Sequence, residues 1–187
     1  MPQYVNQVPA TVTASQKEYA MADVKTLNDL FIHWLRRVYD AEQRLTKALP
    51  KLEEAADASD LKHAFRAHCE ETETHVERLE QIFGLFGEQA KATTCESVKG
   101  IIKDADDMID LDAEPAVRDA GLIAAAQEAE HFEIGAYGTL RTWAAALSKQ
   151  EAMHILEWTL EEEKNADKLL TQIASQLNVR AAAPHAG

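Results

Sequence analysis

Four long segments of this chain carry ionisable side chains on faces that their periodicity marks as apolar. The residues are Glu42, Glu71 with His75, Glu130 with Glu133, and Glu163 with Asp167. A carboxylate turned into a helical core loses on the order of several kcal/mol of solvation unless a cation meets it. One such residue carries little information. A set shared by four helices points to a bundle assembled around metal ions.

In the first segment, about 23–56, Leu27, Phe31, Trp34, Val38, Leu45, Leu49 and Leu52 recur by threes and fours, the period of one helix face. Glu42 falls between Val38 and Leu45 on that face. Pro50 is expected to kink the last turns. Ser59 is placed to cap a second helix running to about 86, with Leu61, Phe65, Leu79, Ile82 and Phe86 as its stripe and Gly84 and Gly87 as its stop. Thr93 and Glu96 have capping-box spacing for a short helix over about 94–111. Its apolar face, from Val98 to Ile109, holds no acid, so it reads as a crossover. Pro115 suits the first turn of a helix over about 115–147. A break at Ser148 leads into a last helix, about 149–178, striped by Leu156, Leu160, Leu170, Ile173 and Leu177. No strand pattern intervenes. The expected fold is all-α, a four-helix bundle with an additional short crossover helix. It would occupy 23–178, between a flexible arm at 1–22 and a short tail at 179–187.

Composition agrees with this reading and narrows the function. The 187 residues suffice for one domain with a sizeable core, and 7 Gly and 5 Pro leave few turns. A net charge of −13 disfavours nucleic acid and anionic membrane surfaces as partners. No apolar run reaches the roughly 18 residues that a membrane span needs. Cys69 and Cys95 do not make a disulfide framework, and the first residues lack a signal-peptide pattern, so a cytoplasmic location is expected.

The spacing within each helix suggests how ions would be held. Glu71 and His75 lie one above the other at i, i+4, as do Glu163 and Asp167. His68, one turn before Glu71, reads as a core residue or a neighbour of the ligands. The fourth helix admits two phases. Glu128 with His131 has the E-x-x-H spacing of bundle di-metal sites. Glu130 with Glu133 is an equally good pair and is preferred, because Ile123, Ile134 and Tyr137 lie near Glu130 on the wheel. Phe132 and Trp143 form a second apolar face that needs a cover, either the short helix or a partner subunit. Glu161 and Glu162 are expected to face water. Six carboxylates carry a charge of −6; two divalent ions offset four of those charges and two trivalent ions all six. Mixed carboxylate and imidazole ligation suits iron or manganese, and the lack of a thiolate cluster argues against structural zinc.

Four stretches stand out together: Tyr39-Asp40-Ala41-Glu42, the run from His68 through Glu71, Thr72 and His75 to Glu80, the run from Glu130 through Glu133 and Tyr137 to Leu140, and Thr159-Leu160-Glu161-Glu162-Glu163 with Asp167. In combination they resemble the YciE/YciF family of bacterial ferritin-like proteins. The similarity covers about 24–178. It implies a ferritin-like bundle, a di-iron or similar centre, a homodimer and a link to stress response. The wider ferritin and rubrerythrin pattern puts His three residues after Glu on two helices. Here Thr72 stands three before His75, and Ala166 three after Glu163.

Two functions follow as expectations. One is a carboxylate-bridged di-metal centre, two iron ions per chain with manganese as the alternative, that oxidises Fe(II) or consumes peroxide or oxygen. Tyr137 would then pack beside the centre or donate an electron. The other is a non-catalytic structural or interaction dimer that keeps the fold.

Overall fold

The computed structural model describes residues 24–183; the arm expected at 1–22 and the last positions of the tail lie outside the described residues. Helix α1 (Leu27–Ala55) starts at Thr26. The Thr26 hydroxyl accepts from the Asp29 N–H at 3.1 Å, and the Asp29 carboxylate accepts from the Thr26 N–H at 2.9 Å, a reciprocal cap that satisfies two donors. The helix continues through Pro50 to Ala55. Proline has no N–H, so the Thr46 carbonyl loses its helical donor. The Cys69 thiol of α2 (Ser59–Leu85) lies 3.8 Å from that oxygen and donates to it.

Two expected caps do not form, and in both cases a distant acid takes over. Ala58, not Ser59, is the N-cap of α2. The N–H groups of Asp57 and Ala58 each donate at 2.8 Å to buried Asp119 of α4 (Pro115–Ala146). The Thr93–Glu96 box is likewise absent from α3 (Glu96–Ile109), whose N-cap is Cys95. The Cys95 N–H donates to Asp40 of α1 at 2.8 Å, and the Thr93 N–H donates to the Arg36 carbonyl at 3.1 Å. Local spacing cannot announce a cap that arrives from another helix. As expected, Pro115 opens α4. Ser148, at φ 58°, makes the turn into α5 (Gln150–Ala181), which runs three residues past the expected end at 178.

These contacts fix the direction of each helix. Phe86, after α2, stacks on Phe31 near the start of α1 at 4.4 Å. Lys149, at the α4–α5 turn, donates to the Leu85 carbonyl at 3.2 Å. Those three points therefore share one end of the bundle. Asp119 ties the start of α4 to the α1–α2 turn at the other end. Helices α1 and α5 run one way, α2 and α4 the other, and α3 climbs along α1 and α4 as the crossover between α2 and α4. This is the ferritin-like four-helix bundle.

The core is a seam whose steps alternate between four and three residues, as in coiled coils. On α1 it runs Phe31, Leu35, Val38, Glu42, Leu45, Leu49, Leu52, all buried. On α2 it runs Leu61, Phe65, His68, Thr72, His75, Leu79, Ile82, again all buried. Fully burying each Leu or Phe contributes about 1.5–3 kcal/mol. The apolar residues form two clusters, one towards each end. The polar members of the seam fall between them. Trp143 is covered by Trp34, edge to face at 6.0 Å, and Phe132 packs against both clusters, so part of the second α4 face is closed within the chain.

Candidate metal centre

Seam geometry brings six ionisable side chains from four helices to the middle of the bundle. Glu42 comes from α1, His68 and His75 from α2, Glu130 and Glu133 from α4, and Glu163 from α5; all six are buried. They form two overlapping groups in which one possible ligand atom per residue lies within 4.8 Å of the others. The groups are His68, Glu130, Glu133 and Glu163, and Glu42, His75 and Glu163. Glu163 belongs to both, with Oε1 3.0 Å from His75 Nδ1 and Oε2 3.7 Å from His68 Nε2. The two carboxylate oxygens thus face the two histidines, one each.

The histidines present different nitrogens. His68 turns Nε2 inward, 3.2 Å from Glu130, and its Nδ1 lies 3.5 Å from Glu71. His75 turns Nδ1 inward and its Nε2 lies 2.9 Å from Glu162. Glu162 is held in turn by Arg78, with a second bond at 3.0 Å, while Arg78 also donates to Thr159 at 3.2 Å. An outer carboxylate on a histidine fixes the ring and its tautomer, as in metal sites. Tyr137 donates its hydroxyl to Glu42.

Burial governs the electrostatics. It raises Glu42 to about 7 against the pull of His75, and Glu130 to about 8 against that of His68. Burial and the Glu163 charge raise Glu133 well above the carboxylate range. Burial alone would lower His68, but Glu130, Glu71 and Glu163 outweigh it and push it up to about 10. Burial likewise opposes charge on His75, and Glu163 and Glu42 outweigh it, to about 9. The set favours added positive charge, whether proton or metal ion.

The donor set fits a pair of metal ions on its own evidence. Glu133 has both carboxylate oxygens, and Glu42 and Glu130 one each, buried without a hydrogen-bond partner, while the buried Glu163 oxygens meet only the two histidines. Buried polar atoms are almost always paired, so partnerless oxygens converging from two helices call for a cation. Four carboxylates balance two divalent ions, where the sequence suggested six.

Glu42, His75, Glu130, Glu133 and Glu163 are thus brought together as expected from sequence. Glu71 and Asp167 are not. The side chain of Glu71 is 48% exposed, because Thr72 and not Glu71 holds the seam position; Thr72 is fully buried and donates to the His68 carbonyl at 2.7 Å. Asp167 is half-buried and turned to α4, accepting from Gln127 at 3.0 Å with His131 3.3 Å away. The alternative pair, Glu128 and His131, faces solvent. His68 belongs inside, and Glu162, expected in water, supports His75. The alternation of fours and threes through Phe65 and Leu79 was the signal that selects His68, Thr72 and His75 together.

Residues 26–183 match a family described as a domain of unknown function, DUF892. The chain belongs to that family. Protein YciF of Escherichia coli K12 is 44% identical over 153 residues, 81% of this chain and 92% of YciF. The crystal structure of the E. coli stress protein YciF superposes with a TM-score of 0.80 at 43% identity, covering 82% of this chain and 98% of that one. YcfI of Rhodopseudomonas palustris, for which a structural role has been suggested, gives 0.78 at 41% identity over 81% and 96%. The resemblance to YciE/YciF proteins therefore holds for this DUF892 chain. Among its described residues no helix is long and apolar enough to cross a membrane.

Proposed function

We propose that this protein binds two divalent ions, iron first and manganese as the alternative, and uses them to oxidise Fe(II) or to consume peroxide or oxygen. The observation that carries this reading is the set of buried, partnerless carboxylate oxygens on Glu42, Glu130 and Glu133, gathered around Glu163 and its two histidines. Bound iron would supply the one-electron chemistry that side chains lack.

The chain's own groups have distinct tasks in this scheme. Glu163, whose two oxygens face the two histidines, would be a ligand to both ions. Glu133, with neither oxygen hydrogen-bonded, would supply a further carboxylate ligand. Arg78 and Glu162 keep His75 turned inward. Tyr137, its hydroxyl pushed well above its usual pKa by burial and by Glu42, stays protonated and stabilises the Glu42 carboxylate; its ring centroid is 6.1 Å from that of His75. Hydrophobic clusters above and below exclude water, which strengthens each of these interactions.

A stress-linked role in the cytoplasm accords with the E. coli relative's description and with two free cysteines. We further assign a homodimer, for which the outer face of α5 offers Trp158, 63% exposed. A second reading, a structural dimer without turnover, draws support from Thr72, which occupies a seam position where the ferritin pattern has a carboxylate.

The test is to load chelator-stripped protein anaerobically with Fe(II), mix it with peroxide or oxygen, and follow ferric absorbance. Oxidant consumption faster than with free Fe(II), absent in Glu163→Ala, is expected. Binding of iron with a rate equal to free iron selects the structural reading.

A further inference from the structure

The centre is enclosed on most sides, and a cavity reaches it from the surface. It lies between α2 and α5 and has a volume of about 130 Å³, against the roughly 10–15 Å³ that admits a single water. Its floor is His68 and Glu130; its walls include Ala64 and Ala166; exposed Ala67, Glu71, Asn165 and Leu169 form its rim. Glu130, only 2% exposed, lines this floor, and its Oε2 has no hydrogen-bond partner. A second cavity reaches Glu130 and Glu133 from beneath α3, but it is about 20 Å³ and ringed by Leu45, Leu49, Ile101 and Ile102. An apolar neck of that size opposes a hydrated cation.

We propose that the seam between α2 and α5 is the route by which a divalent cation reaches the centre, with Glu71 as the first carboxylate it meets. The proposal rests on the two-metal reading above. Alanines at 64, 67 and 166 keep the helices' facing surfaces low, where larger side chains would close the gap. Glu71 lies at the rim with Oε2 3.5 Å from His68 Nδ1, so an ion leaving Glu71 is already beside the first imidazole. The chain's negative charge raises the local cation concentration, and a carboxylate at the mouth directs it. The position of Glu71, outside the buried set yet one turn from His68, then has a purpose in loading the centre. It also follows that the His68, Glu130, Glu133 position fills before the Glu42, His75 position.

The experiment is stopped-flow uptake of Co(II) by metal-free protein, read from the visible absorbance that cobalt acquires on ligation. The final cobalt content is measured separately. Ala166→Phe, which fills the passage, is expected to slow uptake by about tenfold or more while leaving the content at two per chain, since close-packed interiors open only transiently. Ala67→Leu, on the exposed rim, provides a milder block if the phenylalanine variant does not fold. Glu71→Gln is expected to slow uptake by about two- to threefold and to weaken its salt dependence; Glu77→Gln, the same charge change elsewhere on α2, should leave the rate alone. Wild-type protein that takes up no cobalt overturns the metal reading and this route with it. Normal uptake with an unchanged rate in Ala166→Phe, Ala67→Leu and Glu71→Gln overturns the route alone.

Discussion

The two halves of the centre are built from similar residues but are enclosed differently. In the half formed by Glu42 and His75, both side chains are held: Tyr137 holds Glu42, and Glu162 with Arg78 holds His75. In the half formed by His68, Glu130 and Glu133, both Glu133 oxygens are partnerless, and a cavity leads outward past Glu71. The first half is preorganised for one geometry. The second is less constrained and accessible. Geometric rigidity favours tight retention of an ion, whereas loose carboxylates favour exchange and accommodation of charge. The two positions should therefore differ in affinity and in rate, although they share Glu163.

The largest effect that would break this comparison comes from removing the histidines separately. His75→Ala should lower metal content from two ions per chain to one, leaving the cavity-facing position filled. His68→Ala should do the converse. Elemental analysis after gel filtration gives the counts, and loss of both ions in either variant would mean that the halves are not separable.

A smaller effect should follow Glu162→Ala. Removing an outer partner of a ligating histidine costs about 10–100-fold in metal affinity. The loss should be confined to the Glu42, His75 position, so a competition titration should show one affinity shifted and the other kept.

The mildest expected effect is on pH dependence. Glu42 and Glu130 are raised to about 7 and 8, so in metal-free protein the folded state binds more protons than the unfolded state above the usual carboxylate range. His68 and His75, raised to about 10 and 9, stabilise fully below their unfolded pKa and lose that contribution as pH rises through the folded values. Both effects have the same sign. Chelator-treated protein should melt several degrees lower at pH 9 than at pH 6, and metal should remove or reverse the difference. Thermal melts with and without Mn(II) measure it.

Much of this centre was legible in the sequence because acids on a seam stand out against the apolar residues above and below them. Glu42 lies between Val38 and Leu45, and Glu130 and Glu133 lead to Tyr137 in the same register. The residues that fall outside the buried cluster have a common feature. On α2 and α5 several acids flank the seam, and a wheel drawn at 3.6 residues per turn blurs neighbours that a supercoiled seam separates. Glu71, beside buried Thr72, was one position off the seam, and Asp167, only half-buried, turns to Gln127 and His131. The caps from Asp119 and Asp40 were illegible for another reason, since each joins residues more than fifty apart in the chain. Likewise Glu162 looked like one acid in a solvated run until the fold put Arg78 and His75 beside it.

The most direct test of the central claim is to strip the protein with chelator and titrate it anaerobically with Fe(II) or Mn(II), counting bound ions per chain. The account predicts two ions, bound with a rise in melting temperature. Protein that binds none, and melts at the same temperature with and without metal, would contradict it.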